Sequence, residues 1–419
     1  MRRGGCVALA ALAALLGGCE QDRSGQGCDG AKRCVELEPS ADGDDYVQIA
    51  TALIEAREGD VIYMHEGHYT VRLALTLSVD DVTVRGDGMN DTVISFAGQL
   101  DGAQGLLVTA DGFTIEDLAV EDTAGDGVKV EGGDRVVFRD LRVEWTNGPD
   151  PGNGAYGVYP VQCSNVLVEG SLVRGASDAG IYVGQSENIV VRDNRVDRNV
   201  AGIEIENSFD ADVWGNVATG NTGGVLVFNL PGLQVANGAR TRVFDNEIFD
   251  NNEPNFAPEG NIVGLVPQGT GFAAIAAHEI EIFGNRFADN QTINTGIISY
   301  YLAQRDWDDE SYDPYSDTLY IHDNEYSGGG DRPSGDLGFI LLAALGGNDV
   351  PAIVWDGVAD PEKMDGDRLK EDFAICARDN GDGGVADLDA ENEFEDPRFD
   401  AELFDCTHAA LPAVRLPWE

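Results

Sequence analysis

With 42% hydrophobic residues among 419, the chain can bury a substantial core, so disorder does not account for its charge. Asp and Glu number 75 against 27 Lys and Arg, a formal net charge of -48, which excludes binding to nucleic acid. Such acidity fits a solvated surface in a salty exterior, or the holding of hard cations such as Ca²⁺.

The chain opens with Met1-Arg2-Arg3 and an apolar run from Val7 to Leu16, too short for a stable transmembrane helix and therefore read as a signal peptide. The ending Leu16-Gly17-Gly18-Cys19 resembles a bacterial lipoprotein box. The resemblance implies lipidation of Cys19 and membrane contact through that anchor only. Glu20 stands where the family's sorting rule reserves Asp for inner-membrane retention, which implies an outer-membrane or surface location. A cleaved secretory signal is the alternative. Export permits disulfides. Cys28 and Cys34 lie close together, while Cys376 and Cys406 bracket an acidic stretch, so each pair is a candidate bridge. Residues 20–43 read as a polar tether.

Residues 44–57 place Tyr46, Ile49, Ala50, Leu53 and Ile54 on one helical face after an acidic start, which predicts a short helix capping a solenoid. Blocks then begin at Gly105, Gly127, Gly157, Gly180, Gly202 and Gly224, at spacings of 22, 30, 23, 22 and 22 residues. A second register carries Asn194, Asn216, Asn246, Asn285 and Asn324, and short β-branched runs lie between the two. Each repeat thus holds about three short strands and cannot bury its own apolar face, so successive coils must stack. Over roughly residues 59–345 this pattern resembles the right-handed parallel β-helix of the pectin-lyase-like superfamily, and within it bacterial β-helix-repeat lipoproteins of unsettled function. The expected fold class is all-β, a right-handed parallel β-helix with an N-terminal capping helix. The domains expected are a signal peptide (1–19), the tether (20–43), the capped helix of strands (44–345) and an acidic, disulfide-stapled C-terminal extension (346–419) packed on the other end or flank.

The repeat alignment makes columns. Positions one and three after each glycine are apolar and should face the core, whereas positions two and four should face outward. The second column reads Leu107, Lys129, Tyr159, Tyr182, Glu204, Leu226, and the fourth reads Thr109, Glu131, Val161, Gly184, Glu206, Phe228. A fifth column of Gln162, Gln185, Asn207 and Asn229 predicts an amide ladder, and Cys163 aligns with Ser186 and Ser208 as a small buried thiol. Insertions at 144–156, entering the Gly157 strand, and 230–241, leaving the Gly224 strand, flank opposite edges of the outward face, and longer ones follow at 249–270 and 300–318, the last with Arg305 among several aromatic residues. They predict an open groove whose coils repeat every ~4.8 Å, a spacing that suits a linear glycan. A covered or convex face would remove that reading.

Within the groove, Glu204, Glu206 and Lys129 are the candidate catalytic residues, and Tyr159, Tyr182, Glu131, Phe228 and Arg305 the candidate substrate-binding ones. Two carboxylates on one strand face permit either glycosidase geometry. Asp126 and Asp178 occupy suggestive positions before strands, but the Gly-His-Gly and Arg-Ile-Lys motifs of polygalacturonases are absent, as is the Asp-Pro-His motif of mannuronan epimerases. Lyase or epimerase chemistry on a uronate would need Ca²⁺ or Arg to neutralise the substrate carboxylate. "HEGH" at 65–68 lacks the spacing of a zinc protease motif. Asp379, Asp382 and Asp387 form an oxygen-rich stretch where Ca²⁺ binding is one reading. The function expected is that of an envelope lipoprotein whose groove binds, and in a stronger form processes, an extracellular polysaccharide. The competing class is a non-catalytic scaffold or adhesin that presents loops to an envelope protein partner.

Overall fold

The computed structural model describes residues 26–418 except 42, 304 and 348. The signal peptide, Cys19 and the start of the tether lie outside the described residues. Three parallel sheets of 12, 11 and 10 strands run the length of the molecule, and each coil contributes one strand to each sheet. One coil is Ala179–Gly184, Glu187–Arg192 and Arg195–Asp197, after which Ala201–Glu206 starts the next. Strand pairing reproduces the alignment columns: Lys129 pairs with Tyr159, Tyr182 with Glu204, and Glu204 with Leu226.

The alternation of apolar residues causes this register. Val128, Val158, Ile181, Ile203, Val225 and Phe272 form one inward column without solvent exposure. Each such side chain contributes about 1.5–3 kcal/mol by leaving water. Tight corners between strands need left-handed backbone. The residue just before each ladder Asn supplies it, with φ of 56° at Asp193, 65° at Gly215, 53° at Asp245 and 63° at Gly284. The asparagines then stack inside the corner. Asn194 Nδ2 donates to Asn216 Oδ1, and the relay continues through Asn246, Asn285 and Asn324 to Asn380. A second ladder through Asn199, Asn221, Asn251 and Asn290 lines the next corner, and the repeat alignment did not isolate it. Cys163 is buried in the row of Ser186 and Ser208, where Cys163 N–H donates to Ser186 Oγ.

Several expectations need correction. The cap helix spans Tyr46–Ile54, but its buried residues are Ile49, Ala52 and Leu53, while Ile54 points to solvent. Residues 33–37 of the expected tether form a strand, Arg33–Leu37, that begins the 12-stranded sheet. The fifth column is not an amide ladder. Asn207 and Asn229 bond backbone carbonyls instead, at Leu230, Val235, Gly238 and Ala276, and Gln185 Oε1 accepts from Gln234 N–H. Residues Gly335–Leu345 form an α-helix that packs over Ile293, Val350, Val354 and Leu388.

The C-terminal extension completes the solenoid. Ile353–Trp355 and Val385–Asp387 extend the 11-stranded sheet, and Ile375–Arg378 ends the 12-stranded one. Cys28 is bonded to Cys34 and Cys376 to Cys406. From Cys406 the tail then runs back across the outer face of the 12-stranded sheet. Leu411 N–H donates to Glu281, Val414 N–H to Asp212, and Leu416 packs on Val137, Leu167 and Val190. The Cys376–Cys406 bond, with a sequence separation of 30, starts this tail. Loop-closure entropy gives it about 3–4 kcal/mol. Cys376→Ser/Cys406→Ser is therefore expected to lower unfolding free energy by that amount in urea titrations and to open residues 407–418 to proteolysis. An unchanged midpoint with a protected tail would refute this.

Candidate carboxylate and tyrosine site

The outer face of the 11-stranded sheet carries the residues expected to act, but that face is covered over much of its length. Loop residues Phe256, Ala257, Val263 and Val266 pack on Tyr182, Leu226 and Phe228, so the expected open groove is corrected to a half-roofed one. The N-terminal strands Leu73–Leu77, Asp101–Val108, Asp126–Glu131 and Tyr156–Val161 leave side chains such as Thr76, Leu107, Lys129, Glu131 and Tyr159 partly or fully in solvent. A glycan cannot lie along the whole face.

Beneath the roof edge the side chains converge. Tyr156, Tyr159 and Tyr182 form a triangle of rings with centroids 4.4–5.0 Å apart. The Tyr182 hydroxyl donates to Glu206. Glycine at 184 is what allows this, because a Cβ there would collide with that hydroxyl. Tyr156 N–H donates to Asp126 at 3.3 Å, its hydroxyl donates to Asp178, and Asn261 from the roof reaches Asp178 at 3.4 Å. Three carboxyls, Asp126, Asp178 and Glu206, thus occupy neighbouring coils, with Lys129 near Asp126 as a cation. Lys129 is itself engaged, 3.1 Å from Glu131 and 5.1 Å above the Tyr159 ring.

Removal from water sets the protonation states. Burial pushes Asp126 up to about 6, against the pull of Tyr156 N–H and Lys129. Burial, then Glu206 and Asp126, push Asp178 up to about 7. Burial pushes Glu206 up to about 7, opposed by the Tyr182 hydroxyl. Glu204 is raised well above the carboxylate range by burial, then by Asp178 and Glu206. Burial also lifts Tyr159 to about 12.

The candidate residues therefore separate. Glu206, Tyr159 and Tyr182 enter the cluster, with Lys129 and Glu131 at its open rim. Glu204, only 1% exposed, lies under the roof and is corrected from a groove residue to a buried one. Phe228 is corrected likewise, being part of the roof's apolar packing. Arg305 does not reach the cluster. It donates to Gly260 O at 3.0 Å and ties the 300–318 insertion to the roof loop. Asp126 and Asp178 belong to the site although the sequence marked only their pre-strand position, and Tyr156 and Asn261 were missed. The apolar residues Ile262, Val263, Leu265 and Val266 in the 249–270 insertion were the available signal that it would fold onto the sheet.

Asp379, Asp382 and Asp387 do not converge as a cation site. Asp387 turns inward to Arg398, while Asp379 pairs with Arg378 at 3.5 Å. Among the described residues, His278, Asp313 and Asp317 do have metal-like spacing, but the Lys363 ammonium sits 2.7 and 2.6 Å from the two carboxylates and takes a cation's place.

Residues 82–237 match the family model described as a right handed beta helix region. No curated protein matches the sequence. Among solved structures, the A-module of the Azotobacter vinelandii mannuronan C-5 epimerase AlgE4 is 18% identical over 84% of this chain and 93% of that one, with a TM-score of 0.53. The A-module of AlgE6 from the same organism is 15% identical over 86% and 93%, with a TM-score of 0.49. A hyperthermoactive exopolygalacturonase from Thermotoga maritima is 11% identical over 78% and 87%, with a TM-score of 0.49. At these identities the likeness is one of fold. The chain folds as a right-handed parallel β-helix, the fold it shares with the AlgE4 A-module.

Proposed function

We propose that the open half of this face binds the end of an uncharged glycan chain, and that Asp178 and Glu206 carry the acid–base chemistry of its hydrolysis. The supporting observation is the pair itself: both carboxyls are buried and sit near neutrality, at about 7, beside tyrosine rings of which Tyr159 reaches the open rim. A carboxyl poised near the working pH can give a proton to a leaving oxygen and take one from water. Tyr159 offers an aromatic surface with a polar tip to a sugar ring. Closure of the face by the roof supports a chain end over a chain interior. The excess of carboxyls, with Lys129 held by Glu131, disfavours a uronate unless cations bridge the two.

The test is a panel of neutral and uronate oligosaccharides, assayed with and without Ca²⁺ for new reducing ends and for unsaturated products. Stepwise release of reducing sugar from a neutral glycan is expected without Ca²⁺. An unsaturated product, or turnover of uronates alone, would sink this reading.

We also propose that the protein is lipid-anchored at Cys19 in the bacterial envelope, with the outer membrane or cell surface favoured. The N-terminal pattern and the two disulfides support this.

A further inference from the structure

Beyond Glu204 the same sheet face changes character. The row Glu204, Leu226, Ala273, Gly296 is paired strand to strand, and its side chains shrink along the sheet. The shrinkage leaves a hollow of about 540 Å³. The Ile262–Leu265 turn, the Tyr300–Ala303 turn and the helix Gly335–Leu345 wall it in. From Glu204 to Gly296 it spans three coil steps, about 14 Å. Leu265 at its rim is half exposed and marks the side open to solvent.

The lining is largely aliphatic and, among the described residues, includes no Lys, Arg or His. At its closed end, Glu204 Oε1 is buried without a hydrogen-bond partner. An isolated buried carboxyl costs several kcal/mol unless something pairs with it. Among the described residues nothing in the cavity does so, and Asp178 and Glu206 next to it disfavour its ionisation further. An apolar slot that ends on unpaired acid is complementary to an apolar molecule with a cationic head. Burial holds Glu204 protonated. An ammonium head would stabilise its ionised form, with the proton released to solvent, whereas a hydroxyl head would satisfy one hydrogen bond only and a carboxylate head would be repelled.

We propose that this cavity is a binding site for a small aliphatic amine, with the alkyl chain against Leu226, Ala273 and Ile275 and the ammonium on Glu204. The site is separate from the glycan reading, because it uses the roofed coils and not the open rim.

The test is isothermal titration of the full chain at pH 7.5 with octylamine, octanol and octanoate, repeated on Glu204→Gln and Ala273→Phe. Octylamine is expected to bind saturably, octanol at least about tenfold more weakly, and octanoate not at all. Glu204→Gln should weaken octylamine at least about tenfold, and Ala273→Phe should abolish its binding by filling the hollow. Circular dichroism checks folding, and Ile275→Phe replaces Ala273→Phe if that variant fails to fold. The proposal is overturned by the absence of octylamine binding or by octanol or octanoate binding equally well. Affinity that survives either the charge or the filling substitution would also overturn it, since surface acidity alone would then explain binding.

Discussion

Asp178→Asn together with Glu206→Gln is expected to stabilise the protein at pH 8 by roughly 3–6 kcal/mol, and to cut glycan turnover about 10²–10⁴-fold. The stability half follows from linkage. Both carboxyls are raised to about 7 in the folded chain, whereas an unfolded Asp or Glu titrates near its model value of 3.8 or 4.5. Between those limits the native state holds more protons than the unfolded one, so stability falls as pH rises from about 4 to about 7 and is lowest above it. At about 1.4 kcal/mol per pH unit, Glu206 alone accounts for about 3 kcal/mol. The two groups repel each other, so their contributions overlap.

Asn and Gln mimic the protonated acids and cannot ionise, which removes the penalty at pH 8 and changes little at pH 4. The wild type should thus gain stability on acidification from pH 8 to pH 5, and the double variant should lose the share of that slope carried by Asp178 and Glu206, while Asp126 and Glu204 keep the rest. Urea unfolding at both pH values decides it. Parallel slopes in the two proteins would mean that these carboxyls are hydrated and ordinary. The activity half tests the same groups as proton carriers, and a variant both stabler and inactive is the signature of a site that holds acids at a cost.

Asn246→Leu is expected to destabilise the protein by roughly 3–5 kcal/mol. Asn246 Oδ1 accepts from both Asn216 N–H and Asn216 Nδ2, and its Nδ2 donates to Val213 O and Asn285 Oδ1. Leucine fits the space poorly and leaves Asn216 N–H and Val213 O without these partners, at about 1–3 kcal/mol each. Because the chain of amides runs on through Asn285, the loss should reach neighbouring coils. Hydrogen exchange at Asn216 and Asn285 should rise along with the fall in the urea midpoint. A loss below about 1 kcal/mol would show that water replaces the missing amide.

Register was legible in the sequence because it follows from local physics. Alternation of Val and Ile selects the inward face, and the Asp or Gly before each Asn marks a left-handed corner, so pairs such as Tyr182 with Glu204 follow from counting. What covers a face is a different matter. The roof over Glu204 comes from residues such as Val263 and Val266, which belong to no repeat, and their contact with Tyr182 is set by tertiary packing. The same holds for the helix Gly335–Leu345, apolar on several sides, whose partners Val354 and Leu388 come later in the chain. Asp178 was visible as a position, but its chemistry depends on burial beneath Asn261, 83 residues downstream.

The returning tail has a consequence for how the molecule comes apart. A solenoid whose coils touch only their neighbours can fray from either end, one coil at a time. Here Leu416, which follows the final coil in the chain, lies on Val137, Leu167 and Val190, while Cys406 is bonded to that final coil. The strand row beneath, from Val137 through Asp212 and Glu281 to Cys376, is thereby fastened across eight strands by a single extended strap. Coils far apart in the stack then share one fate, and a structure built by local addition gains the all-or-none unfolding of a globular domain. Chain truncation after residue 404 should split that single transition into a graded one, with the C-terminal coils melting first.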